Sequence, residues 1–211
     1  MKRVACVAAA LGVQPATACA HAFRTGTDAY EQFVEGAYVA LFAPPIILPL
    51  VALGVLVGLW RPSDGMPRVW PTFLAAQAIG LFAAPALPPG IAVAALAVGA
   101  SVGAVAALLS HPPHALVLSL AALVGALTSG VGFQGHALLE LAIPVQLGLL
   151  SGANLGVSFP AGVAAFSLSR IDKPWLGIGW RILASWTAAI MSITLAFELR
   201  NLFAFGSSYS P

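Results

Sequence analysis

Charged residues are scarce in this sequence, and their scarcity excludes an ordinary water-soluble domain. Only 8% of the 211 residues are Asp, Glu, Lys or Arg, whereas 60% are hydrophobic and the mean hydropathy is +0.95. Soluble domains carry about 25% charged residues. The composition therefore indicates an integral membrane protein whose main partner is the lipid bilayer.

Cysteine is nearly absent, since Cys6 and Cys19 are the only two. Both fall within residues 1–22, where a basic start, a short apolar segment and small residues are typical of a secretory signal peptide. Cleavage after Ala20 would remove both cysteines, exclude disulfides and make His21 the N-terminal residue. An uncleaved first helix is the alternative, although the apolar segment is too short to span a bilayer.

Motifs for catalysis and for nucleic-acid binding are also missing. The sequence has no nucleophile–base pair, no glycine-rich phosphate loop and no H-E-x-x-H motif, and no Asp stands between Asp64 and Asp172. Its basic residues form no patch, despite a pI of 8.8. We therefore expect neither an enzyme nor a nucleic-acid-binding protein.

Apolar runs of membrane length are what the sequence does contain. They predict that residues 23–211 form an all-α, polytopic membrane helix bundle of about six transmembrane helices. The predicted spans are 36–60, 70–86, 91–109, 115–132, 137–169 and 175–197. Pro44, Pro45 and Pro49 predict a kink or break in the first span, because proline lacks a backbone donor and disfavours helix in the residue before it.

The distribution of charge predicts the orientation. If the mature N-terminus lies outside, the cytoplasmic segments carry five basic residues against two acidic ones, and the outer segments two basic against five acidic. Lys and Arg are enriched in cytoplasmic loops. We therefore expect a multi-pass protein of a bacterial inner (plasma) membrane, with an acidic outer face that attracts cations.

Histidines flank the fourth predicted span on both sides, and about 18 residues, or roughly 27 Å of helix, separate the two groups. On the outer side, His136 and Glu140 are four residues apart and share one face of a predicted helix. Such a pair suits Ni²⁺, Co²⁺, Zn²⁺ or Cu²⁺, and a free N-terminal His21 would add ligands. The alternative is that Glu140 caps the helix while His136 bonds a lipid headgroup.

On the inner side, His111 and His114 enclose two prolines. They form either a release site for the same ion or a turn with interfacial histidines. The fifth predicted span carries a polar stripe of Gln146, Ser151, Asn154 and Ser158. Because lipid cannot satisfy polar side chains, this stripe either lines a translocation path or makes interhelical hydrogen bonds.

Pairs and runs of glycine spaced four residues apart predict close contact between helices. They occur at Gly54 and Gly58, at Gly99 and Gly103, and at Gly148, Gly152 and Gly156. Such small-residue faces serve either the packing of this chain, the binding of a partner protein, or contact with a second copy.

Four segments resemble the HupE/UreJ family of small bacterial membrane proteins. They are the signal end Ala20-His21-Ala22, the first span 36–60, the segment 114–123 that begins with His114, and the closing segment 180–190. The resemblance implies a nickel- or cobalt-associated function and a role for His114. The family's first-span pattern G-x-x-H…D-H is replaced here by Val39, Pro45 and Ile46.

These observations favour a divalent transition-metal permease or metal-delivery accessory, with Ni, Co, Cu or Zn as cargo and a membrane or exported metalloenzyme as partner. The alternative is a non-transporting subunit or assembly factor that holds a partner through its small-residue helix faces.

Overall fold

The computed structural model describes residues 28–88, 90–137, 140–171 and 173–206, and these form helices without any strand. The predicted signal peptide and His21 lie outside the described residues. The helices are α1 (Ala29–Phe42), α2 (Pro44–Trp60), α3 (Gly65–Ala83) with a 3-10 extension (Ala84–Ala86), α4 (Ile91–Leu108), α5 (His114–Gly132), α6 (Ile143–Arg170) and α7 (Pro174–Gly206). The predicted all-α fold is confirmed.

Five segments are long and apolar enough to cross a bilayer singly: Gly65–Ala86, Ile91–Leu108, His114–Gly132, Ile143–Arg170 and Trp175–Arg200. Helices α1 and α2 meet the same criterion only as a pair, and they are bent by 69° relative to each other. The described chain therefore has the architecture of a multi-pass membrane protein.

The bend between α1 and α2 follows from consecutive prolines. Ala43 is extended (φ −75°, ψ 116°), as expected of a residue before proline, and Pro44 and Pro45 then occupy the first turn of α2. Asp28 caps α1 by accepting a hydrogen bond from the Glu31 N–H at 2.8 Å. The first span thus breaks as predicted, although its helix begins at Ala29 rather than at 36.

Glycine contacts show that α1 and α2 cross the bundle together, alongside α6. A side chain at Gly36 of α1 would collide with the Val145 carbonyl, near the start of α6. One at Gly58 of α2 would meet Ala161 and Ala164, near its end. Since the contacts advance in the same direction along both partners, α1 and α2 together run parallel to α6. Counting this bent pair as one span gives six segments that could cross a bilayer.

The alternation of these crossings separates charges between the two ends of the bundle. The start of α1 and the α5–α6 loop share one end, called here the acidic end; it carries Asp28, Glu31, Glu35 and Glu140. The ends of α2 and α6 share the other, called the basic end; it carries Arg61, Arg68, Arg170 and Lys173 together with Asp64. The grouping of charges predicted from the sequence therefore corresponds to two ends of one bundle.

Helix α2 forms the centre of the bundle and is apolar throughout. It packs against α4, α5, α6 and α7, and Leu50, Leu53 and Leu56 are completely or almost completely buried. Helix α7 lies at the periphery, where Trp175, Trp186 and other large side chains are exposed. In a bilayer these exposed apolar side chains face lipid.

Candidate functional site

His136 and Glu140 lie in the α5–α6 loop, not on the helix predicted to begin at 137. Helix α6 starts only at Ile143, and Glu140 closes a turn through its N–H to the Ala137 carbonyl (3.0 Å). The correction has a simple cause: Pro144 lacks an N–H, and in a continuous helix its ring would clash with the carbonyl of Glu140, four residues earlier.

The loop nevertheless brings the two side chains together. His136 Nδ1 lies 3.9 Å from Glu140 Oε2, and the same oxygen accepts a hydrogen bond from the Ala137 N–H at 2.9 Å. The side chains are 25% and 59% exposed, respectively, although His136 Nε2 itself is buried. The hydrogen bond fixes the carboxylate on the side of the imidazole.

Two contacts hold this loop against the bundle. Gln134 Nε2 donates to the Pro88 carbonyl at 2.8 Å, which ties the α5–α6 loop to the α3–α4 connection. Gly135 adopts φ +79°, a left-handed conformation that other residues rarely take, and the His136 N–H then bonds the Phe133 carbonyl at 3.0 Å. The position of His136 is therefore set by tertiary contacts as well as by the chain.

As a metal site the pair supplies two ligands, an imidazole nitrogen and a carboxylate oxygen. Among the described residues, no group of three or more His, Cys, Asp or Glu side chains could hold an ion. Structural zinc sites use four protein ligands, so the described residues do not by themselves complete a site of that kind. The predicted third ligand, His21, falls outside the described residues.

A second polar feature lies in the interior, where α3 and α6 meet. The Trp70 indole N–H donates to Asn154 Oδ1 at 3.0 Å, and Asn154 Nδ2 donates to Gln77 Oε1 at 3.0 Å and to the Leu150 carbonyl at 2.8 Å. Because an indole can only donate, it fixes the orientation of the Asn154 amide and, through it, that of Gln77.

Gln77 consequently has an excess donor inside the bundle. Its side chain is 2% exposed, and Nε2 has no hydrogen-bond partner among the described residues. Asn154 makes interhelical hydrogen bonds in this structure.

The other members of the predicted polar stripe are dispersed. Gln146 donates to the Leu141 carbonyl at 2.9 Å, Ser151 is exposed, and Ser158 lines a cavity near the basic end. A translocation path through the stripe stays a prediction. Sequence reasoning missed Trp70 as the partner of Asn154, since no sequence signal links residues 84 positions apart.

At the basic end, His114 begins α5 and stacks on Trp60, with ring centroids 5.3 Å apart, while His111 is exposed in the preceding loop. Helix α5 has 19 residues, about 28 Å, and separates these histidines from His136 and Glu140. The two predicted histidine groups therefore occupy opposite ends of the bundle and cannot form one site.

Asp64 at this end is held by two arginines. Arg68 Nε bonds Asp64 Oδ2 at 2.6 Å, and Arg61 Nη1 approaches the same oxygen at 3.5 Å. The hydrogen bond from Arg68, with the positive charge of both arginines, lowers the pKa of Asp64 below its ordinary value of 3.8.

This pKa shift predicts that Asp64 makes the stability of the folded state depend on pH only under acidic conditions. Because the pKa of the Asp64 carboxyl is lowered in the folded state, Asp64 stabilises that state at pH values above its ordinary pKa. This contribution is lost as the pH falls through the lowered pKa. Arg68→Gln should raise the pKa of Asp64 toward 3.8, measured by NMR titration of the carboxyl carbon. Arg170→Gln is the control, and an equal response to both substitutions would contradict the assignment to Arg68.

Comparisons with family models, with curated proteins and with solved structures found no match.

Proposed function

We propose that this membrane protein takes up or delivers a divalent transition metal of the Ni²⁺ or Co²⁺ type, with His136 and Glu140 as its first contact. The metal is cargo, not a resident cofactor. The observation that carries the proposal is the 3.9 Å approach of His136 Nδ1 and Glu140 Oε2 in an accessible loop. Imidazole and carboxylate together favour such borderline ions.

The charge asymmetry of the bundle supports the same function. Acidic residues at the end that carries His136 and Glu140 raise the local concentration of cations. The positive-inside rule predicts that the basic end faces the cytoplasm, and the pair would then lie on the outer side of a bacterial inner membrane. His111 and His114 would then be available to the ion on the inner side.

The resemblance to the HupE/UreJ family favours nickel or cobalt among the candidate ions. His114 is the residue that matches a family histidine, and its stacking on Trp60 holds the ring at the start of α5. The proposal does not rely on first-span ligands, because Val39, Pro45 and Ile46 stand at those positions.

The alternative, a subunit that holds a partner through small-residue faces, has less structural support. Gly54 and Gly58 pack on α6, Gly99 and Gly103 pack on α7, and Gly148 packs on α1. These faces are thus filled by the chain's own helices. A partner protein would have to bind other surfaces, such as the exposed side of α7.

The proposal is tested by titrating the purified full-length protein with Ni²⁺ and Co²⁺ and by measuring uptake into proteoliposomes. Loss of a metal ligand, or of a residue that hydrogen-bonds to it, commonly lowers metal affinity by about 10–100-fold. His136→Ala combined with Glu140→Gln should therefore weaken metal binding by at least tenfold. Uptake should fall in parallel.

The matched control is Lys173→Gln, an exposed residue at the opposite end that is not a proposed ligand, which should leave metal binding unchanged. If the double variant binds and transports as well as the unaltered protein, the pair is not the entry site. Unaltered protein that neither binds nor transports either metal would refute the proposed function itself.

A further inference from the structure

A cavity of about 170 Å³ opens between the end of α2, the start of α3 and the last turns of α6. Its walls are mainly apolar and include Val57, Gly58, Met66, Pro67, Ala161 and Ala165. Ser158 lies in the wall, and Arg61 and Ser63 stand where the loop between α2 and α3 borders it. The cavity therefore combines an apolar interior with a cationic and polar rim.

Gly162 lines the cavity on α6. A side chain added at Gly162 would meet no atom within 4 Å, whereas one at Gly58, on the facing helix, would meet Ala161 and Ala164. The two helices are thus tightly packed beside the cavity but leave room within it. The space is large enough for part of an acyl chain and lies at the basic end of the bundle, where α2 ends and α3 begins.

Arg61 pairs with Asp64 only through Nη1, so its guanidinium keeps further N–H donors for a ligand. Asp64 makes its short bond to Arg68, at 2.6 Å, and its contact with Arg61 is much longer, at 3.5 Å. The Arg61 guanidinium carbon also lies 5.1 Å from the centre of the Trp60 ring. The cation–π contact holds the guanidinium beside Trp60, and Trp is enriched at membrane–water interfaces.

We propose that this cavity binds an anionic phospholipid, with the phosphate on Arg61 and the upper part of an acyl chain against Gly162 and Ala165. Charge complementarity selects the headgroup, since the end of the bundle that carries Arg61 is basic and none of the described residues lining the cavity is acidic. The apolar wall selects a lipid over a free anion. This inference is independent of the proposed metal function.

The experiment measures phosphatidylglycerol binding to the full-length protein in detergent by native mass spectrometry. Phosphatidylcholine and inorganic phosphate serve as comparison ligands. One basic side chain near an anionic surface accounts for about a fivefold change in binding, so Arg61→Gln should weaken phosphatidylglycerol binding by about that factor. Gly162→Leu should weaken it at least as much, because the side chain would fill the cavity.

The matched control is Gly177→Leu, since Gly177 on α7 also has no neighbour within 4 Å of an added side chain but does not line the cavity. It should bind like the unaltered protein. Equal binding by the Gly162→Leu and Gly177→Leu variants would overturn the proposal. So would equal affinity for phosphatidylcholine, or binding of inorganic phosphate as tight as that of the lipid.

Discussion

Replacement of Gly148 by valine should separate α1 from α6 and cause the largest loss of stability of any single substitution considered. The added Cβ would overlap the backbone carbonyl of Phe33, which cannot move aside as a flexible side chain can. Overpacking costs about 1–3 kcal/mol and occasionally more. For a chain of this size we expect the apparent melting temperature to fall by roughly 5–10 °C, as measured by size-exclusion chromatography after heating in detergent.

The same helix provides the control. Gly162 also lies on α6, but a side chain there meets nothing within 4 Å, so Gly162→Val should change the melting temperature little. Both substitutions exchange glycine for a β-branched residue in a helix, and the helix-propensity effects therefore cancel. Equal melting temperatures for the two variants would show that α1 does not pack on α6 as described.

Asn154→Leu should be strongly destabilising, whereas Gln77→Leu should be nearly neutral or slightly stabilising. Loss of Asn154 leaves both the Trp70 indole N–H and the Gln77 amide without their partners at the contact of α3 and α6, where lipid cannot replace the lost hydrogen bonds. Loss of Gln77 instead removes a buried excess donor and still leaves Asn154 bonded to Trp70 and Leu150.

The expected difference between these variants is about 2 kcal/mol, since interhelical bonds in membranes contribute about 0.6–1.7 kcal/mol each and unpaired groups add to the loss. It can be measured by reversible unfolding in mixed micelles. In the double variant, part of the loss caused by Asn154→Leu should be recovered. A Gln77→Leu variant as unstable as Asn154→Leu would contradict the assigned amide orientations.

Much of the architecture could be predicted from the sequence because a helix that crosses a bilayer must be apolar over about 20 residues. The apolar runs predicted six crossings, and the prolines after Ala43 predicted the broken first one. The segments that pack together could not be predicted. Helices such as α2 are apolar on every side, so their sequences contain no periodic stripe to show which face is buried.

The candidate site could likewise be predicted only in part. The four-residue spacing of His136 and Glu140 suggested that they are neighbours, and they are, but through a turn rather than a helix. Pro144 was the available signal for the later start of α6. By contrast, nothing local to Asn154 indicates Trp70 or Gln77, because their association depends on how α3 and α6 are placed by the remaining helices.

The path of the broken first span beside α6 has a consequence for biosynthesis. Gly36 and its contact Val145 are more than a hundred residues apart, so α1 is made long before its partner exists. The pairs α3 with α5 and α4 with α7 likewise join helices that are not consecutive in the chain. The early helices are therefore inserted before their packing partners have been synthesised. The bundle can close only when the last third of the protein has been inserted.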